Sequence, residues 1–212
     1  MLCHGRPEMA RRALECFAAQ TYERKVLSVW EAPGSIGKLR NQANSQTVAD
    51  IIVHWDDDDW SHPNRIAEQV ALLQSSGAEC VGYNEMLFWN VSRKPKHQPF
   101  EFEPPGEAWL YTGPSDQYCL GTSMCYWRET WERNPFRDTN AGCDDLYWHG
   151  RGLRMVGVPA FGFNTAIQGE PKVPRMIAAI HDGNTCAAID PTSADWRRVP
   201  EWDAYCRARM AL

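Results

Sequence analysis

Five residues of buried-strand character, Ile51-Ile52-Val53-His54-Trp55, run without a break into four aspartates, Asp56-Asp57-Asp58-Asp59. A nearly continuous apolar strand belongs to a sheet covered on both faces, because a half-solvated strand would alternate instead. Its neighbours fit that setting. Pro7 can open a helix, where its missing N–H is an orphan anyway, and Met9, Ala10, Ala13, Leu14, Phe17 and Ala18 follow at helical spacing. Residues 26–30 read as a strand, and 35–49 as a helix carrying Leu39, Ala43 and Val48. A helix from Pro63 with Ile66, Val70, Leu72 and Leu73 ends near Gly77, and 79–89 reads as another strand. This alternation predicts an α/β layer with parallel strands.

The remainder is less regular. Residues 92–114, rich in Pro, Lys, Glu and Gly, predict an irregular excursion or short antiparallel elements. A strand is expected over 118–128, a short helix over 144–150 and a last sheet strand over 155–158. Beyond Gly162 the expectation is irregular chain until a helix around 201–210. A length of 212 residues suits one domain, taken as 1–190, with a nucleotide-binding part over 1–90, an acceptor and catalytic part over 91–190, and a C-terminal tail helix in 191–212.

Charge and cysteines narrow the classes. The net charge of −5 gives no support for a nucleic-acid partner, whose phosphates call for a basic surplus. No run of about 18 apolar residues predicts a transmembrane helix, and the opening residues are too few and too polar for a signal peptide. Eight cysteines include no Cys-x-x-Cys pair, which argues against a zinc site of that spacing and predicts reduced, mostly buried thiols in a cytoplasmic protein.

The aspartate run follows a buried strand, where open α/β sheets bind their ligands. Two like charges about 4 Å apart repel by about 4 kcal/mol at an effective dielectric near 20. Either some of the four are protonated, or a cation neutralises them, and hard oxygen ligands favour Mg²⁺ or Mn²⁺. The plain alternative is an acidic loop splayed into water. The strand before the run and Trp60-Ser61-His62-Pro63 after it weigh against that.

The segment Ile52 to Ile66, with its D-D-D-D-W-S-H-P core, resembles the strand–DxD–helix segment of family 2 glycosyltransferases with the GT-A fold. His4-Gly5-Arg6-Pro7-Glu8-Met9, with Ala19-Gln20-Thr21-Tyr22, is similar to that family's opening segment, and Gly37-Lys38-Leu39-Arg40-Asn41-Gln42-Ala43 to its G-x-x-R-N-x-A helix. The resemblance covers about residues 1–185. It implies a GT-A three-layer sandwich, a Rossmann-like nucleotide-diphospho-sugar transferase with a mostly parallel central sheet. It also implies metal-dependent inverting transfer from a nucleotide-diphosphate sugar, a UDP-sugar foremost, to a hydroxyl acceptor such as a saccharide, a modified nucleic acid or a protein. Two departures stand out: the first strand is reduced to Met1-Leu2-Cys3, and an acidic pair after the second strand is reduced to Glu31.

Carried over by position, His4, Arg6, Glu31, Lys38, Arg40, Asn41, Asp56 and Asp57 fall in the nucleotide-sugar-binding set. Asp58 and Asp59 fall to the metal, with His181 of the H-x-x-N-T string completing its shell. Gly142-Cys143-Asp144-Asp145 resembles the G-x-E-D segment, which makes Asp145 the base and Asp144 its rival; both can equally serve as helix caps. Gly121-Thr122-Ser123-Met124 resembles the acceptor-pocket segment. Trp109, Tyr111 and Trp127 offer stacking faces, or simply core. Competing readings are a nucleotidyltransferase, which lacks its Gly-rich basic loop here, and a non-catalytic sugar- or nucleotide-binding module.

Overall fold

The computed structural model describes residues 1–3, 5–91, 106–161, 173–184 and 189–211. Six helices are present among them: α1 (Pro7–Ala18), α2 (Ile36–Ser45), α3 (Arg65–Ser76), α4 (Arg128–Arg133), α5 (Asp145–Gly150) and α6 (Asp203–Met210). Eight strands form one sheet: β1 (Ile51–Val53), β2 (Trp60–Ser61), β3 (Cys80–Asn90), β4 (Ala108–Thr112), β5 (Cys125–Trp127), β6 (Met155–Pro159), β7 (Met176–Ile180) and β8 (Trp196–Arg198).

Local chemistry sets the helix ends. Pro7 opens α1 as expected. The Ser35 hydroxyl caps α2 by accepting from Lys38 N, and Gly77 closes α3 with a left-handed φ of 67°. Pro63 lies in the turn ahead of α3, two residues before its first turn.

The eleven-residue β3 organises the sheet. Glu85 pairs with Thr112 of β4 and Pro159 of β6, so these two strands take opposite edges. The β4 edge also holds β5, and the β6 edge also holds β7. β1 joins outside β5, and β8 outside β4. Successive residues of β3 alternate between cores: Val81 faces α1 and α3, while Cys80 faces Trp131 of α4 and Trp148 of α5. Helices therefore cover both faces.

The sheet corrects three expectations. It is mixed, not mostly parallel: among the described residues five of seven ladders are antiparallel. Two of these come from β5, inserted antiparallel between β1 and β3, which keep the parallel direction read from their apolar runs, and two from β4, antiparallel to both β3 and β8. The strand expected over 26–30 reduces to a bridge between Leu2 and Trp30, with Val26 91% and Val29 53% exposed. Finally, β6 is not the last strand. β7 is buried along its whole length and its Met-Ile-Ala-Ala-Ile run shows no alternation. β8 and α6 turn the expected tail into part of the sheet and core, with Cys206 and Met210 packed on Leu87, Leu110 and Ile177.

Seven of the eight cysteines are free thiols, six of them buried, and Cys186 lies outside the described residues. Among the described residues no helix is long and apolar enough to cross a membrane.

Candidate active site

The aspartate run is held, not splayed. Arg65, fully buried at the start of α3, donates to His54 O (2.9 Å), Ser61 Oγ (2.9 Å) and Thr122 O (3.1 Å), tying both flanks of the run to the Gly121–Ser123 turn. Trp55 donates from Nε1 to Ala13 O at 3.1 Å. Arg12 donates from Nη2 to Asp58 O at 2.6 Å and from Nη1 to Met210 O at 3.0 Å, adding α1 and α6 to the clamp. Asp57, Asp58 and Asp59 are only 1%, 8% and 6% exposed. A water-splayed loop is thereby excluded for these three.

Each aspartate meets a different fate. Asp56 is 3.3 Å from Arg40 Nη2; burial pushes its carboxyl up, but the Arg40 charge together with hydrogen bonds from Thr122 and Arg40 holds it below the usual range. Asp57 is ion-paired with Arg6. Asp58 Oδ2 lies 3.0 Å from Arg6 Nη1 and 2.9 Å from His181 Nε2. Asp59 accepts from Ala179 N at 3.1 Å and from the Thr122 hydroxyl at 2.5 Å, while burial, then the charges of Asp58 and Asp56, push it well above the usual range. The sequence posed protonation or a metal cation; among the described residues Asp59 is pushed toward its protonated form, and Arg6 and Arg40 neutralise part of the run.

The second acidic segment meets the first through Arg40. This guanidinium, 8% exposed on α2, is ion-paired with Asp144 as well as Asp56. Asp144 also accepts from Asp145 N at 2.8 Å, capping α5. Asp145 accepts from the Tyr118 hydroxyl (2.9 Å) and Gly121 N (3.2 Å), and stays half-buried at the cleft wall. Beneath lies His54, which donates from Nδ1 to Gly121 O (2.5 Å) and accepts at Nε2 from Tyr126 (3.0 Å). Burial, then the Arg40 charge, hold its pKa well below 6.5, so it is neutral.

One cleft of about 350 Å³ gathers these groups, lined by Arg6, Arg40, Asp56–Asp59, Gly121, Thr122, Asp144 and Asp145. Several site candidates lie elsewhere. Glu31 and Lys38 are exposed and absent from the lining, because α2 directs Leu39 and Arg40 inward and Lys38 out. The Asn41 amide is committed to the 131–136 segment: Nδ2 donates to Phe136 O (2.8 Å), and Oδ1 accepts from Trp131 Nε1 (2.8 Å) and Phe136 N (2.9 Å). Trp127 packs in the core and donates to Ala78 O at 3.2 Å, and Trp109 packs on the Phe88 cluster; Tyr111 alone of the three lines the cleft. His4 and Thr185 lie outside the described residues. Sequence reasoning missed Tyr118 and Trp196, while Asn184 belongs to the H-x-x-N-T string already singled out. Only spatial neighbours reveal the first two, since no spacing links them to a motif.

A divalent cation was expected at Asp58, Asp59 and His181. Among the described residues no group of three or more metal-ligating side chains converges. Asp58 and His181 do converge, and a carboxylate plus imidazole suits Mn²⁺ or Mg²⁺, whose other positions commonly go to phosphate oxygens and water. The imidazole fits on one condition. Gly183 N donates to His181 Nδ1 at 2.9 Å, while Nε2 lies 2.9 Å from Asp58 Oδ2 and 2.8 Å from Arg6 Nη1, a donor that calls on Nε2 as an acceptor. Metal ligation through Nε2 requires Arg6 to withdraw from it. Both Asp59 oxygens are already occupied by Ala179 and Thr122, which leaves Asp59 shaping the loop.

Comparison with known proteins places the fold. No family model matches the sequence, and no curated protein matches it. Among solved structures, S. aureus TarS (residues 1–349) matches with a TM-score of 0.52 at 11% identity, over 84% of this chain and 58% of that one. The same protein in complex with UDP matches over 84% and 59%. The mannosyltransferase PcManGT from Pyrobaculum calidifontis, in complex with GDP-Man and Mn²⁺, matches with a TM-score of 0.55 at 12% identity, over 99% and 67%. The fold is a glycosyltransferase fold. This chain spans about three fifths of the length of the TarS chain it matches.

Proposed function

We propose that this chain is a metal-dependent inverting glycosyltransferase of the GT-A, family 2 type. One observation carries the reading: a single cleft joins the end of the half-buried strand β1, with its four aspartates, to a second acidic segment headed by Asp145, with Arg40 bridging the two. The fold likeness to glycosyltransferases, one of them holding GDP-Man and Mn²⁺, supports it.

In this reading the two ends divide the work. Arg6, Arg40 and Asp56 bind the nucleotide-diphosphate part of the donor, arginine forks suiting phosphate oxygens. Asp58, with His181 once Arg6 withdraws from its Nε2, would hold Mn²⁺ or Mg²⁺, which when bound offsets the charge of the departing diphosphate. Asp145 is the base. The acceptor oxygen bonds to the anomeric carbon as the bond to the diphosphate oxygen breaks. The nucleoside diphosphate leaves with that electron pair, and the acceptor's proton passes to Asp145. Asp144 positions Arg40 and caps α5, while the less buried Asp145 lines the cleft with Oδ2 held by Tyr118 and Gly121 N and Oδ1 held by Leu146 N.

The test is release of nucleoside diphosphate from UDP- and GDP-sugars with and without Mn²⁺. Asp58→Asn should abolish metal-dependent nucleotide binding. Asp145→Asn should leave that binding intact and remove transfer. Failure of every nucleotide sugar to be turned over or to raise the melting temperature in Mn²⁺ would sink the proposal.

A further inference from the structure

We infer that the end of the cleft formed by Phe88, Tyr111 and Trp196 is an acceptor subsite that stacks the ring of an uncharged saccharide. This rests on the glycosyltransferase reading above and supplies its acceptor class. The three residues come from three adjacent strands, β3, β4 and β8, and Tyr111 and Trp196 are direct partners in the β4–β8 ladder. Their rings interlock. Phe88 meets Trp196 edge-on at 4.9 Å, Tyr111 meets Trp196 at 5.0 Å with a 55° tilt, and Phe88 meets Tyr111 edge-on at 6.2 Å. Phe88 is buried behind, while Tyr111 and Trp196 keep part of their surface at the cleft. Side chains on paired strands hold such a shelf in place without a ligand.

The shelf sits beside the base. The Tyr111 hydroxyl interacts with that of Tyr118, which donates to Asp145. A ring lying on Tyr111 and Trp196 therefore has its hydroxyl edge near the carboxylate that would take its proton. Aromatic faces with polar tips suit a ligand that is apolar on its ring face and polar around its rim, as a sugar ring is.

Charge selects the class. Among the described residues lining the cleft the cations are Arg6 and Arg40, both at the aspartate end. At the aromatic end the charges acting on Tyr111 are those of Asp145 and Asp195, and Arg198, two residues beyond Trp196, is paired with Glu107 and Asp203. A nucleic-acid strand would need cations for its phosphates and meets carboxylates there. A neutral polyol has no such conflict.

Saturation-transfer NMR tests this with maltose, cellobiose and diacetylchitobiose as probes, and a short oligothymidylate as the rival. At least one disaccharide should receive saturation on the C–H protons of one ring. Trp196→Leu and, independently, Tyr111→Leu should weaken its binding about tenfold or more, with UDP or GDP binding in Mn²⁺ within about twofold of the parent and the circular dichroism unchanged. The inference is overturned if no disaccharide binds, if both variants bind it as the parent does, or if oligothymidylate takes the site. The saccharide arm needs no nucleotide. Loss of nucleotide binding in the parent protein would therefore count against the donor reading, separately from this one.

Discussion

Tyr118 donates its hydroxyl proton to Asp145 Oδ2 across 2.9 Å, linking the segment before the Gly121–Ser123 turn to the first residue of α5. Tyr118 is 4% exposed, and burial, then the Asp145 charge, push its phenol far above the usual value, so it is a donor at any working pH. With Gly121 N it fixes which way the half-buried carboxylate points.

Tyr118→Phe should therefore misorient Asp145, the proposed base, without touching the aspartate end. Hydrogen bonds to charged groups contribute about 1.5–3 kcal/mol, so kcat should fall roughly 10- to 100-fold while nucleotide-sugar KM holds. Steady-state kinetics with the donor varied checks this. A fall in donor affinity with kcat preserved would remove Tyr118 from this role.

Arg6 occupies the space between Asp57, Asp58 and His181, with Nη1 3.0 Å from Asp58 Oδ2 and 2.8 Å from His181 Nε2. A divalent cation at Asp58 meets that guanidinium as a like charge. Arg6→Gln should tighten Mn²⁺ binding in the absence of nucleotide by about tenfold, one unit charge at such range outweighing about 1.4 kcal/mol even after screening. Mn²⁺ electron paramagnetic resonance, where bound ion loses its sharp signal, reads this directly. Unchanged or weaker Mn²⁺ binding would show that Arg6 does not oppose the cation.

The legible part of this fold was its first 90 residues, because α1, α2, α3, β1 and β3 are written in local periodicity and capping: Pro7, Ser35, Gly77 and the apolar run at 51–55. The direction of β1 and β3 was readable, and a strand over 118–128 was expected, but its antiparallel place between those two was not. β5 is only Cys125–Trp127, and its place in the sheet depends on pairing with residues 44–46 and 72–76 positions away. β7 hid for a different reason, since an Ala-containing run buried on both faces carries no period. At the site, the aspartates and Asp144–Asp145 stood out as charge clusters. Asn41 looked equivalent to Arg40 in the motif, yet helix geometry turns adjacent residues about 100° apart, sending one to the cleft and the other to Phe136. Trp196 had no signal, because its role comes from β8 being a strand at all.

His54 ties stability to pH. The unfolded side chain titrates near 6.5, whereas the folded one, buried below the Arg40 charge, titrates well beneath that. Between the two values the unfolded chain binds more protons, so stability rises with pH through this window and is flat above it. The contribution is fully present above about pH 6.5 and is lost as pH falls, by up to about 1.4 kcal/mol per pH unit, until the folded value is reached. His54→Asn should lose stability at pH 7 through its broken bonds to Gly121 and Tyr126, but with a shallower slope from pH 7 to 5. Urea denaturation at pH 5, 6 and 7 on both proteins isolates the difference. Parallel pH curves would show that His54 is not the titrating group.

Gly157 in β6 controls how near Tyr118 comes to the sheet. A Cβ there would lie 2.0 Å from Tyr118 O and 2.7 Å from Asn84 Cβ, and Gly157 N donates to Asp116 O at 2.7 Å. The first clash is with backbone, which no side-chain rotation relieves, so Gly157→Ala must push the 116–118 segment outward. That displaces the Tyr118 hydroxyl from Asp145, since the donor and the clashing carbonyl belong to one residue. The variant should lose about 1–3 kcal/mol of stability, as overpacked sites do, lowering Tm by roughly 2–4 °C per kcal/mol at this chain length. Its kinetic signature should match that of Tyr118→Phe, with kcat down and donor KM retained. The two changes together should cost little more in kcat than either alone, because they remove the same hydrogen bond. Fully additive losses would show that Gly157 acts on the site by another route than Tyr118.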